Sequence, residues 1–299
     1  MPMRITFLGC GHIGKALLGA ILPSVSQAGS PISVITVAVN RRESKVKLQS
    51  HFDNHLSVKF VSDQNVAAAK DADAVLFAFP PEMIHNVLAS TGMKEALNQK
   101  RIISLLARTP SSEIKRLLRG DRDEDIALVR AMPTIGTEVH ESATLISKAT
   151  NPAEQQALDL ATWIFSRVGK VFPVSDNYFD TATGMSAFCN ALTTMSMQAI
   201  TRQAVTKGVP EKDAIAIASQ CIRGSTSLML AGTSPEQLEE SLSAPGSITG
   251  EAISRLKNEL PDIVESEGAV LPARPGLTVL EAKMDPYSPI NEAKSWGKS

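Results

Sequence analysis

The run Phe7-Leu8-Gly9-Cys10-Gly11-His12-Ile13-Gly14 sets G-x-G-x-x-G between an apolar segment, residues 5–8, and a helix-forming one, Lys15-Ala16-Leu17-Leu18. Few folds accommodate a strand, a tight turn and a helix in that order. The chain must reverse at Gly9, leave its backbone open to an approaching group at Gly11, and bring helix against strand at Gly14. The helix then presents unpaired N–H groups in a first turn that includes His12 and Ile13, and a pyrophosphate is favoured there. The motif predicts dinucleotide binding at the end of the first strand of a parallel sheet.

The rest of the first half alternates as such a sheet requires. Apolar runs at residues 34–39, 58–61, 73–79, 101–106 and 126–130 are separated by helical stretches, the pattern of βαβ units. After Val171-Phe172-Pro173-Val174 the strand signal stops, and the chain reads as helical up to Leu260. Gly208 and Pro210 end one helix, Thr233-Ser234-Pro235-Glu236 caps another, and Ser243-Ala244-Pro245-Gly246-Ser247 forms a loop before Ile248. The expected fold is α/β, with an N-terminal Rossmann dinucleotide-binding domain over 1–174 and an all-helical domain over 175–260. Residues 261–299, which hold Pro272, Pro275, Pro286 and Pro289, are expected to be extended or partly disordered.

Residues 181–201 carry no charge, yet Thr181, Thr183, Ser186, Asn190, Thr193 and Thr194 would be costly in lipid. The stretch is expected to be a helix buried between subunits, not a membrane span. Residues 5–8 are too short for a secretory core. Lys plus Arg total 30 against 31 Asp plus Glu, so no positive field gathers nucleic acid or anionic lipid, and aromatics at 4% offer few stacking platforms. The partner is expected to be a small molecule. Cys10, Cys189 and Cys221 are too scattered for a disulfide framework or a metal site, which fits a cytoplasmic location without metal.

The second strand ends Ala38-Val39-Asn40-Arg41-Arg42-Glu43. An NAD site would place an acidic residue there for the ribose hydroxyls, whereas two guanidinium groups suit a 2′-phosphate. NADP is the expected cofactor.

With these features, the sequence resembles the pyrroline-5-carboxylate reductases, NADPH-dependent enzymes that reduce a cyclic imine to proline. The similarity runs from residue 3 to about residue 256. Asn40-Arg41 matches the family's NADP-selecting turn, and Asn65 an asparagine that lies against the cofactor. Ala78-Phe79-Pro80-Pro81 and Ser104-Leu105-Leu106-Ala107 resemble its cofactor-contacting segments. Arg130-Ala131-Met132-Pro133-Thr134 resembles its Arg-x-Met-Pro-Asn, and Asp180-Thr181-Ala182-Thr183-Gly184-Met185-Ser186 its Asp-x-x-Thr-x-Leu-Ser. Residues 243–249 resemble the loop that cradles the substrate carboxylate. The resemblance implies a homodimer joined through the helical domain, with Thr249 hydrogen-bonding the substrate nitrogen and Ser186 as a second hydroxyl. Met132, Ser247 and Ile248 would lie against the substrate.

Several positions depart from the family pattern. Pro80 replaces Lys, Thr134-Ile135-Gly136 replaces Asn-Thr-Pro, and Ala187-Phe188-Cys189-Asn190 replaces a run of small residues; Ala244 and Ser247 replace Ser and Gly. Bulk is added where a small imino acid would lie, so the expected substrate is pyrroline-5-carboxylate or a bulkier cyclic imine of specialised metabolism. A non-catalytic NADP-binding regulator or degenerate subunit is the alternative. A β-hydroxyacid dehydrogenase would need a Lys on the long helix, and 181–201 has none.

Overall fold

The structure is a computed structural model that describes residues 2–52, 55–119 and 126–268, with 259–268 as backbone alone. β1 (Met3–Leu8) passes through the glycine turn into α1 (His12–Val25). β2 (Ile32–Val39), α2 (Arg42–His51), β3 (Val58–Ser62) and α3 (Asn65–Asp71) follow, then β4 (Ala74–Phe77), α4 (Ile84–Leu88) and α5 (Met93–Ala96). β5 (Arg101–Ser104), α6 (Ser111–Arg119) and β6 (Leu128–Met132) lead to a 3-10 segment (Ile135–Val139), β7 (Ser142–Ser147), α7 (Pro152–Phe165) and β8 (Gly169–Val174).

The eight strands form one sheet in the order β3-β2-β1-β4-β5-β6-β7-β8, parallel except where β7 runs against β6 with Met132 opposite Leu145. Central strands read as continuous apolar runs because helices cover both faces: every residue of β4 is buried. Phe7, Leu18, Ile21, Ile103, Val129 and Phe165 pack on the α1 and α7 side. Val75, Phe77, Ile102, Ile114 and Leu128 pack on the other. Strand order reverses between β1 and β4, which opens a crevice at their C-terminal ends.

β7 is absent from the apolar runs seen in the sequence because three of its five buried positions, Ser142, Thr144 and Ser147, are hydroxyls beside Leu145 and Ile146. Ser142 and Thr144 are almost fully buried, their oxygens 3.0 Å apart, and Ser142 Oγ accepts from Thr134 N–H at 3.0 Å. Ser147 Oγ accepts from Arg130 N–H at 2.9 Å. These bonds satisfy polar groups that would otherwise be expensive to bury.

Beyond β8 the chain is helical: α8 (Phe179–Thr206), α9 (Glu211–Leu230), α10 (Pro235–Leu242) and α11 (Ile248–Gly268). Ser234 and Gln237 close a reciprocal capping box at the start of α10. The uncharged 181–201 stretch is the body of α8, but one chain does not bury it. Among its described residues α8 is buried at Phe179 alone; Met195 is 63% exposed and Ile217 of α9 is 60% exposed. The expectation of an extended tail from Pro261 needs correction, since α11 continues through that proline to Gly268. A proline removes one helical N–H and crowds the preceding turn, yet apolar residues at 253, 256, 260 and 263 keep helical spacing across it. The remainder of that expected tail, 269–299, lies outside the described residues. Among the described residues no helix is long and apolar enough to cross a membrane.

Candidate active site

A cleft of about 850 Å³ lies at the C-terminal ends of β1, β2, β4, β5 and β6. Its floor is the glycine turn. Gly9 has φ +82°, and a Cβ there would stand 2.7 Å from the Ala78 carbonyl oxygen and 2.8 Å from Phe79 N. No other residue fits that conformation and that contact. Gly11 precedes the first turn of α1 in an extended conformation, and a Cβ on it would meet nothing within 4 Å. The space beside it is open to a ligand. At Gly14 a Cβ would lie 3.4 Å from Cys10 Sγ and 3.7 Å from Ala78 Cβ, so the glycine gives close packing of α1 without being sterically obligatory.

Cys10 also lines the cleft, and its thiol is pushed up to about 12 by burial, against an opposing pull from Lys15. It therefore stays protonated and contributes packing, not a nucleophile. His12 lines the cleft at the start of α1, and its Nε2 lies 3.1 Å from Glu138 Oε1 on the 3-10 segment. That contact ties the loop after β6 to the glycine turn.

Asn40 and Arg41, at the end of β2, form a second wall together with Ser44 and Asn65. Asn65 Nδ2 donates to Asn40 Oδ1 at 2.7 Å, which leaves Asn65 Oδ1 buried without a partner among the described residues. A buried amide oxygen with no donor is costly, and in a cleft wall it is an acceptor available to a ligand hydroxyl. Arg42 opens α2 and does not line the cleft; neither does Glu43. The sequence pair of guanidinium groups therefore resolves into one cleft residue, Arg41, and one beside it.

Ala78, Phe79, Pro80, Glu82, Met83 and Val87 form the wall after β4, and Leu105, Met132 and Pro133 close the far end. Leu106, buried at 1%, and Ala107 do not reach the lining. Residue reading missed Ser44, Glu82, Met83 and Val87. Ser44 lies one helical turn beyond Arg41, so placing the start of α2 would have found it; nothing local marks the others.

The hydroxyl candidates lie elsewhere in the chain. Ser186 Oγ donates to the Ala182 carbonyl at 3.0 Å, the backbone bond common for a helical serine. Ser247 caps α11: its Oγ accepts from Gly250 N–H at 3.0 Å and donates to the Ala244 carbonyl at 2.7 Å. Thr249 Oγ1 lies 3.2 Å from Ser247 Oγ and is not itself the cap, and Ile248 is 89% exposed. None of these four lines the cleft of its own chain. The reason is connectivity: α11 packs on α10, α10 on α9 and α9 on α8, and α8 meets the sheet at β7.

Two family descriptions match the sequence: "NADP oxidoreductase coenzyme F420-dependent" over residues 4–108 and "Pyrroline-5-carboxylate reductase dimerisation" over residues 176–267. A pyrroline-5-carboxylate reductase of Neurospora crassa is 32% identical over 278 residues, covering 83% of this chain and 84% of that one. One from Lophium arboricola is 28% identical over 268 residues, with coverages of 83% and 84%. The crystal structure of Plasmodium falciparum pyrroline carboxylate reductase with NADP bound shares the fold at a TM-score of 0.71, with 19% identity over 90% of this chain and 95% of that one.

Proposed function

The chain belongs to the pyrroline-5-carboxylate reductase family, and we propose that it is an NADPH-dependent oxidoreductase that reduces the C=N bond of a cyclic imine, pyrroline-5-carboxylate or a bulkier relative. The observation that carries this reading is the convergence of Gly9, Gly11, Asn40, Arg41, Asn65 and Met132 on one cleft. The residues fit the cofactor. The open face of Gly11 at the start of α1 would receive the pyrophosphate, Asn65 Oδ1 a ribose hydroxyl, and Arg41 with Ser44 the 2′-phosphate that separates NADPH from NADH.

Bound there, the cofactor supplies a hydride, one hydrogen with its electron pair, to the imine carbon. The chain orients and tunes. Leu105, Met132, Pro133 and Phe79 give the far end of the cleft an apolar lining. The Thr249 hydroxyl would hydrogen-bond the imine nitrogen, and the proton that the nitrogen takes up as the carbon gains hydride would come from solvent through that hydroxyl. The backbone N–H groups of the 247–249 corner would hold a substrate carboxylate.

That corner does not reach the cleft of its own chain, and α8 and α9 expose Met195, Ile200, Ile217 and Leu230. Both facts support a homodimer in which a second copy covers the helical face and delivers residues 247–249 to the cleft. They also support a division near residue 174 between a cofactor-binding sheet and a helical unit for substrate and self-association. Cys10, Cys189 and Cys221 are all free thiols, which favours a cytoplasmic location.

The test follows NADPH absorbance with pyrroline-5-carboxylate and with a panel of cyclic imines bearing or lacking a carboxylate. Turnover on the order of 1 to 10³ per second with any of them is expected. NADPH binding without turnover of any imine would point instead to a regulator or a degenerate subunit. Sedimentation should return a mass of at least two chains, and a strict monomer would overturn the shared site.

A further inference from the structure

We propose that Arg130 is a positioning residue for imine reduction: from β6 it locks the first turn of α8 against Met132 and thereby sets the far wall of the cleft. The inference rests on the reductase reading above. Arg130 is 1% exposed, the largest of the fully buried side chains. Arginine is almost never this buried unless paired. Three residues at helical spacing around the start of α8 grip its guanidinium. Nη2 bonds the Asp180 carboxylate, Nη1 lies 3.6 Å from Asp176 Oδ1, and the Phe179 ring sits 4.3 Å from the guanidinium carbon. Asp176 is itself anchored by Ser111 Oγ at 3.0 Å.

The gripped turn bears on the cleft directly. Phe179, Leu145 and Val174 form a small cluster against which Met132 and Ala182 pack. Met132 lines the cleft, and Ser186 on the following turn bonds the Ala182 carbonyl. Arg130 does not touch the cleft, so it acts through Met132 and α8.

Stability alone is a poor reason for this arrangement. Nε and Nη1 have no hydrogen-bond partner among the described residues, so burial of the charge is incompletely compensated. Apolar residues of similar volume often replace such a buried pair without loss of stability. What they cannot replace is direction: a planar fork with a ring beneath it and carboxylates at its edge fixes the rotation and height of the helix turn.

The experiment compares the full-length protein with Arg130→Met/Asp180→Leu and with Arg130→Lys. The double variant should keep the wild-type oligomer and a similar Tm, with NADPH Kd within about twofold. Its kcat should fall and its imine KM should rise, giving a loss in kcat/KM of about 10- to 100-fold, the scale for misplacement near 1 Å. Arg130→Lys, which keeps charge but not the fork, should show the same split, and it carries the test should the double variant not fold. A folded variant with wild-type kcat and KM would overturn the proposal, as would a loss traced wholly to NADPH Kd. The emission of bound NADPH supplies a readout that needs no turnover. If the wild type reduces no imine, the reductase reading fails by itself; a changed emission in the variants still supports Arg130 as setting the wall, and an unchanged one overturns it.

Discussion

A Cβ built on Gly9 would stand 2.7 Å from the carbonyl oxygen of Ala78, so the chain leaving β4 runs against bare backbone where β1 turns. Gly9→Ala introduces both that clash and a strained positive φ. It should lower Tm by several degrees or abolish folding. Gly11→Ala meets no protein atom and should keep Tm, while its methyl group occupies the approach to the helix start. NADPH Kd by calorimetry should rise at least about tenfold, a cost of about 1.4 kcal/mol. Wild-type affinity in Gly11→Ala would remove the pyrophosphate from this turn.

Arg41 reaches the cleft and Arg42 does not. Arg41→Ala should weaken NADPH by about 10- to 100-fold through loss of charge-assisted bonds, and leave NADH little changed. Arg42→Ala should have a smaller effect. Equal losses for the two cofactors would refute the 2′-phosphate assignment.

Thr249 lies beside the Ser247 cap without being it, so Thr249→Ala should leave the start of α11 intact. With the hydrogen bond to the imine nitrogen gone, kcat should fall by about tenfold or more at unchanged NADPH Kd. Thr249→Ser should recover most of the rate. An unaltered rate in the alanine variant would sink the role of this hydroxyl.

Burial works against ionisation of the Glu154 carboxyl, but Lys115 and the N–H and hydroxyl of Thr150 outweigh it and hold it below its ordinary value of 4.5. A folded value below the unfolded one gives stability that is present above about pH 4.5 and is lost as pH falls through the folded value. Between about pH 6 and pH 3, Tm should fall more steeply for the wild type than for Glu154→Gln, so the gap between them narrows in acid. Parallel curves would show that the pair contributes nothing to acid sensitivity.

The parts of the site legible in the sequence are those whose requirement is local. Gly9, Gly11 and the Asn40-Arg41 end of β2 are demanded by backbone conformation and by charge within a few residues, and all of them line the cleft. Met132, Asn65 and Leu105 were reached through family resemblance, since no local pattern marks them. Glu82 and Val87 come to the cleft only because the chain after β4 folds across its rim. Arg130 ends an apolar run and is marked only by its resemblance to the family's Arg-x-Met-Pro-Asn, because the partner that explains it, Asp180, lies 50 residues away. Pro261 shows the opposite failure: a strong local stop signal is overridden by helical spacing on both sides of it.

β7 differs from the other strands in being keyed by hydroxyls, and this bears on how the chain avoids errors in assembling its sheet. A slip of one residue would exchange the faces of Ser142 and Thr144 and strip Thr134 N–H and Arg130 N–H of their acceptors. It would also displace Ser142 from Gly169, where a Cβ would stand 2.1 Å from the Ser142 carbonyl oxygen. An all-aliphatic β7 could trade one register for another at small cost. With buried polar groups every wrong register pays at once, so the strand at which this sheet changes direction also carries its own proofreading.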